Sequence, residues 1–374
     1  MTTTAAAAVI AGIGGALPPR TVTNDELALT LDTSDAWIRS RTGISSRRRV
    51  EPGTGTGDLA AAAGRAALDS AGTRGADLLI LATSTPDLRC PATAPEVASR
   101  LELAGIGAYD LAAACSGFVY ALAAATEAIA AGGVRSVLVI GADTYSTIVD
   151  PLDRGVAVLF GDGAGAVLLR RGRADEPGAV LGTDLGSDGS RANLFAIEVG
   201  GSRRPDQEGR SSRASRYVAM NGPELYAHAV RRMTASARAA LDRAGWAPGD
   251  LDAFVAHQAN QRILDAVADR LGVRAGRSVS HLGQVGNTAA ASVPLALADA
   301  VGRGVAPAGG RALLTAFGAG LAWGSAAIRW PDVRPVHVEL GRDDANAATG
   351  YTDADYTNTA PTYADYSCAA RGVR

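Results

Sequence analysis

Apolar runs of strand length alternate with alanine-rich stretches of helical length along most of the chain. "AAAAVIAGIGGALP" reads as a first buried strand, "GDLAAAAGRAALDSAG" as a helix and "ADLLILATSTPD" as a strand. "PATAPEVASRLELAG" and "RSVLVIGADTYS" continue the alternation as helix and strand. Uninterrupted apolar strands between helices predict an α/β fold whose sheet is covered on both faces. "GIGGAL" resembles a dinucleotide loop, but Leu17 stands where G-x-G-x-x-G needs its third glycine and no amphipathic helix follows at once.

The second half repeats this order at low similarity. "PELYAHAVRRMTASARAALDRAG" is a long helix like that at 58–72, and "LDAFVAHQAN" parallels "ADLLILATST". "SHLGQVGNTAAASVPLALADAV" parallels "DLAAACSGFVYAL", with small residues at a turn that opens a helix and Asn287 near the position of Cys115. "VAVLFGDGAGAVLLR" matches "RALLTAFGAGLAWGSAAIRW", each read as strand, glycine turn, strand. Two fused copies of one unit bring equivalent turns to a shared interface, where ligand sites form. The halves are expected at 1–180 and 181–331. Residues 200–216 are polar and arginine-rich and read as a surface loop. Residues 332–374 hold little aliphatic content, cannot offset their ordering entropy by burial, and read as a disordered tail that includes Cys368.

Charge and composition narrow the chemistry. With 36 basic and 38 acidic residues, no net field favours nucleic acid or an anionic membrane. Every basic residue is arginine. Without lysine, a Schiff base and a P-loop are both excluded. The three cysteines form no C-x-x-C pair, so neither a zinc knuckle nor a disulfide framework is expected, and a reducing, cytoplasmic setting fits. No basic n-region precedes the first apolar run, and no apolar run reaches the roughly 20 residues that span a bilayer.

Taken alone, Cys115 is as readily a small buried hydrophobe as a nucleophile. Helical period from Ser116 onward places it on the turn before a helix, where backbone N–H groups stabilise a thiolate and can lower its pKa to roughly 3.5–7.5. Among four histidines, His257 follows an apolar strand at the end where α/β sites form. The repeat would then bring one thiol, one imidazole and the carboxamide of Asn287 together.

These residues resemble the β-ketoacyl-acyl carrier protein synthase III family of the thiolase fold. The resemblance spans about residues 8–330 and is carried by "DTSDAWIRSRTGI", "DLAAACSGF", "DPLDRGVAVLFGDGAGAVLL", "HQANQRI", "GNTAAASVPLAL" and "FGAGLAWGSA". It implies two pseudo-symmetric α/β halves in an αβαβα layering. It also implies a decarboxylative Claisen condensation in which Cys115 takes an acyl group from acyl-CoA, with malonyl-acyl carrier protein or malonyl-CoA as second substrate and no cofactor. His257 and Asn287 would donate to the enolate, and the backbone N–H groups of Cys115 and Ala319 to the tetrahedral oxyanion. Ala319 departs from the glycine common in relatives. Trp37 and Arg154 would flank the adenine of CoA, Arg41 approach its phosphates, Gly222 and Asn260 lie along the pantetheine arm, and Arg262 meet the carrier protein. Cys90 would cross a homodimer interface to end the partner's acyl pocket, and a small residue there implies room for propionyl or branched starters. The rival readings are a family member that transfers acyl groups to an alcohol or amine without decarboxylation, which tends to lose the asparagine, and an inactive binding subunit, which loses the nucleophile.

Overall fold

The computed structural model describes residues 6–206 and 211–341. Two sheets carry the architecture. The first runs in the order Val336–Glu339, Ala6–Leu17, Asp162–Arg173, Ser136–Thr144, Leu78–Ala82, Gly107–Leu111, and the second Ala253–Ala256, Arg311–Gly318, Ala322–Arg329, Val180–Ser187.

The repeat is legible in the register. Val137 pairs in parallel with Leu78 and antiparallel with Leu169, as Ala312 pairs with Ala253 and Ile328. Helices Gly117–Ala130 and Ser292–Gly302 lie between the sheets, and their apolar faces, with Phe118, Leu122, Val293 and Leu297 fully buried, form the central core. Each such side chain contributes about 1.5–3 kcal/mol on burial. Helix Thr56–Ser70 covers the outer face of the first sheet, and helices Gly222–Ala244 and Gln261–Leu271 that of the second. The expected αβαβα layering results. The described residues up to Leu340 close into one compact unit, so the two halves share a core rather than separating.

"GIGGAL" lies inside the strand Ala6–Leu17. A Cβ at Gly12 or Gly14 would fall 2.2 Å from the carbonyl oxygen of Ala67 or Ala63, so these glycines let helix Thr56–Ser70 sit directly on the strand. Close packing, not a cofactor, explains them.

Three expectations are corrected. "VAVLF" is no strand: Asp153 caps a short helix, Arg154–Ala157, and the first-half counterpart of Arg311–Gly318 is Ser136–Thr144. The 3-10 turns Ala114–Ser116 and Ala289–Ala291 each open a central helix, which makes Ala290 the counterpart of Cys115 and sets Asn287 three residues earlier. The tail does not begin at 332, because Val336–Glu339 pairs with Gly14–Leu17 at the sheet edge and Leu340 N–H donates to Leu17. In keeping with the surface loop expected at 200–216, its described residues are mostly exposed turns and bends, with one 3-10 turn, Ala214–Arg216, and a backbone hydrogen bond between Gly200 and Arg204. Residues 207–210 and the rest of the tail, Cys368 included, lie outside the described residues.

Candidate active site

The two central helix-opening turns and the ends of strands Ala253–Ala256 and Arg311–Gly318 converge on a cavity of about 530 Å³ whose wall includes Cys115, His257, Asn287 and Ala319. The first three are 7%, 4% and 5% exposed, so all three side chains work out of bulk water.

Each is oriented by a neighbour. His257 follows its strand and donates its backbone N–H to Thr315 O, and its Nδ1 lies 2.6 Å from Ser292 Oγ. That contact leaves Nε2 for the cavity. Asn287 Oδ1 accepts the Ala289 N–H at 2.9 Å, leaving its Nδ2 hydrogens to face outward. Its main chain is fixed too, with N–H to Leu159 O and C=O from Gly161 N–H. Gly318 faces the Cys115 N–H closely enough that a Cβ there would lie 2.6 Å from that nitrogen. Only glycine keeps this donor open. Positive φ outside glycine is confined, among the described residues, to Glu102, Ala114 and Ala289, so Ala319 has the ordinary backbone that lets an alanine serve.

Electrostatics overturn one expectation. Burial, helped by the charge of Asp143, pushes the Cys115 thiol well above the ordinary cysteine range, although its own backbone N–H pulls the other way. Burial at this depth favours the thiol over the thiolate, against the lowered pKa expected from the helix end alone. Burial also pushes His257 down to about 3, so the imidazole is neutral and supplies no cation to the sulfur.

Toward the mouth the lining turns basic. Ser34 caps helix Asp35–Thr42, which presents Trp37, and the guanidinium carbons of Arg41 and Arg154 lie 4.7 and 4.9 Å from its ring centroid. Arg154 is held there by Asp32 O at 2.8 Å. Asn260 caps helix Gln261–Leu271 through Arg262 N–H and donates to Arg41 O at 3.1 Å, joining the two walls of the entrance. Gly222 and Arg262 complete the rim, with Arg262 5.7 Å from the Tyr226 ring. Cys90 is exposed and outside this cavity. Ser292 was not singled out by sequence reasoning; its signal is the one hydroxyl ending the run "AAAS". Among the described residues no cluster of His, Cys, Asp or Glu is arranged to hold a metal, and no helix is long and apolar enough to cross a membrane.

A family model described as 3-oxoacyl-[acyl-carrier-protein (ACP)] synthase III matches residues 109–189, and its C-terminal counterpart residues 241–330. The chain is 58% identical over 327 residues to β-ketoacyl-[acyl-carrier-protein] synthase III 5 of Streptomyces coelicolor, covering 87% of this chain and 98% of that one. It is 52% identical over 329 residues to the β-ketoacyl-[acyl-carrier-protein] synthase III of Pseudomonas aeruginosa, covering 88% and 98%. The crystal structure of the 3-oxoacyl-(acyl carrier protein) synthase III from Pseudomonas aeruginosa PAO1 superposes with a TM-score of 0.82 at 51% identity, covering 88% of this chain and all of that one. The priming β-ketosynthase of the R1128 polyketide pathway gives 0.81 at 37% identity, covering 87% and 96%. With the thiolase-type layering and these relatives in agreement, the chain belongs to the β-ketoacyl-[acyl-carrier-protein] synthase III family.

Proposed function

We propose that this enzyme condenses an acyl-CoA starter with a malonyl thioester, with loss of carbon dioxide, to initiate fatty-acid or polyketide synthesis. In the first half-reaction the Cys115 sulfur attacks the acyl carbonyl, the CoA sulfur leaves, and the thiol proton departs with it as CoA–SH. In the second, the malonyl carboxylate leaves as carbon dioxide and its electron pair becomes an enolate. That carbanion attacks the acyl–Cys115 carbonyl, and the sulfur leaves and regains a proton. As the step that moves an acyl group to Cys115 and then to carbon, this makes the enzyme an acyltransferase of the condensing kind.

The observation that carries this reading is the convergence of Cys115, His257 and Asn287 on one water-poor cavity, with Nε2 and Nδ2 as the free ends. Two neutral donors suit an enolate oxygen, and the open N–H of Cys115 with that of Ala319 suits the tetrahedral oxyanion. Each donor of this kind is worth about 3 kcal/mol in the transition state. Asn287 favours decarboxylation over simple acyl transfer, which needs no second enolate donor. The retained thiol argues against an inactive binding subunit.

Trp37, with Arg154 and Arg41, supplies a flat cationic stack suited to adenine and its phosphates. Gly222 and Asn260 would line the pantetheine arm, and Arg262 would meet an acidic carrier protein. In this reading the working form is a cytoplasmic homodimer in which Cys90 ends the partner's acyl pocket, and the reaction draws on no cofactor. Release of labelled carbon dioxide from malonyl thioester, dependent on acyl-CoA and lost in Cys115→Ala, supports the assignment. Acyl transfer to an alcohol or amine without that release would replace it with the rival reading.

A further inference from the structure

The turns that open the two central helices share one strain and face different groups. Ala114 and Ala289 have φ of 47° and 48°, a region that residues with a side chain rarely adopt, and Cys115 and Ala290 follow them. Sheet register makes Asp143 and Gly318 counterparts. Each lies six residues beyond the equivalent pair Val137 and Ala312. Gly318 stands against the Cys115 N–H and leaves it open, because any side chain would collide with it.

Asp143 stands against the Ala290 N–H and fills the equivalent place. Its Oδ2 accepts that N–H at 2.9 Å. Its Oδ1 accepts the Ser84 N–H at 2.7 Å and the hydroxyls of Thr83 and Thr85, both at 3.2 Å. The carboxylate is wholly buried and does not line the cavity, so it touches no substrate. A carboxylate in place of an oxyanion, on the N–H that mirrors the nucleophile's own, closes the second-half counterpart of the site.

It also reaches the chemistry through one peptide unit. Consecutive N–H groups of the strained turn are committed, Ala289 to Asn287 Oδ1 and Ala290 to Asp143 Oδ2. The first of these residues, Ala289, also carries the strained positive φ, so the turn is held in that conformation by these two bonds together. We infer that Asp143 is a positioning residue: its carboxylate occupies the pseudo-symmetric counterpart of the oxyanion position and pins the turn that aims the Asn287 carboxamide. The inference rests on the condensation proposed above.

Asp143→Asn tests it, since a carboxamide has one acceptor oxygen for two backbone donors that point at it from opposite sides. Two rates are read separately: acylation of Cys115 by acetyl-CoA, by intact mass, and carbon dioxide release from malonyl-CoA. The expected result is decarboxylation reduced at least tenfold while acylation is no more than threefold slower than in the parent, because losing the Asp143 charge eases rather than hinders ionisation of the Cys115 thiol. Equal reductions, or none, overturn the inference. Hydrogen exchange over residues 285–293 reads the pin without substrate: it should be at least tenfold faster in Asp143→Asn, and unchanged protection overturns the inference. If the parent itself releases no carbon dioxide, the condensation reading fails while the exchange result still decides on the pin. Should Asp143→Asn not fold, Thr83→Val removes one donor and keeps the carboxylate; a threefold or greater loss confined to decarboxylation supports the inference and unchanged rates overturn it.

Discussion

Ser292 Oγ lies 2.6 Å from His257 Nδ1, and both side chains are buried. The same oxygen is 3.4 Å from the Gln258 N–H, so a backbone donor approaches it while its own hydrogen is free to turn to the imidazole. A hydroxyl that donates to Nδ1 places the ring hydrogen on Nε2, the atom facing the cavity. Ser292→Ala should therefore lower condensation about 10- to 100-fold, the cost of roughly 1–3 kcal/mol for stranding a buried ring nitrogen, with acyl-CoA KM little changed. Steady-state kinetics check this; full activity in the variant would contradict the tautomer assignment.

Acid should destabilise the protein through His257. Burial holds its folded pKa at about 3, against roughly 6.5 for an exposed histidine. As pH falls below about 6.5 the unfolded chain takes up a proton that the folded protein refuses. Stability is lost at up to about 1.4 kcal/mol per pH unit from this group. Asp143 acts with the opposite sign: burial raises its pKa to about 7, so between roughly pH 4 and 7 the folded state holds a proton that the unfolded chain releases, and above that range it is the carboxylate. Urea midpoints at pH 7.5, 6 and 5 should therefore fall less steeply in His257→Gln than in the parent, and equal slopes would count against a neutral buried imidazole.

The entrance stack should act on binding rather than on chemistry. Trp37→Ala removes the ring that both Arg41 and Arg154 cover. The KM for acyl-CoA should rise about 5- to 30-fold, equivalent to roughly 1–2 kcal/mol, with kcat within about twofold. A fall in kcat at unchanged KM would place Trp37 elsewhere in the cycle.

Starter choice should respond to position 90. If the exposed Cys90 ends the partner's pocket, Cys90→Phe fills space that a branched acyl chain needs. The isobutyryl to acetyl rate ratio should drop about tenfold or more, within the range that methyl-sized differences command in apolar pockets. An unchanged ratio, or a parent that accepts only acetyl-CoA, would remove Cys90 from the pocket.

Layering and site were legible because both follow from local patterns. Small residues before an apolar helix marked both central turns, and a histidine at a strand end marked one wall. Matching by chemical type set Asn287 against Cys115, whereas backbone register sets Ala290 there; alanine carries no visible chemistry. "VAVLF" misled because a five-residue apolar run fits a buried strand or a capped helix turn equally. The edge strand Val336–Glu339 was hidden by neighbouring prolines and by a half-exposed pattern in "VHVE". The thiol misled for a different reason. Helix-end stabilisation is visible in sequence, but the desolvation that opposes it depends on how deeply the fold buries Cys115.

The acyl-enzyme tests the central claim most directly. Incubation with acyl-CoA alone, followed by peptide mass spectrometry, should place one acyl group on Cys115 and none on Cys90 or Cys368. Addition of malonyl thioester should discharge it with release of carbon dioxide and formation of the β-ketoacyl product. An acyl group that never appears on Cys115, or that persists when malonyl thioester is added, would contradict the account.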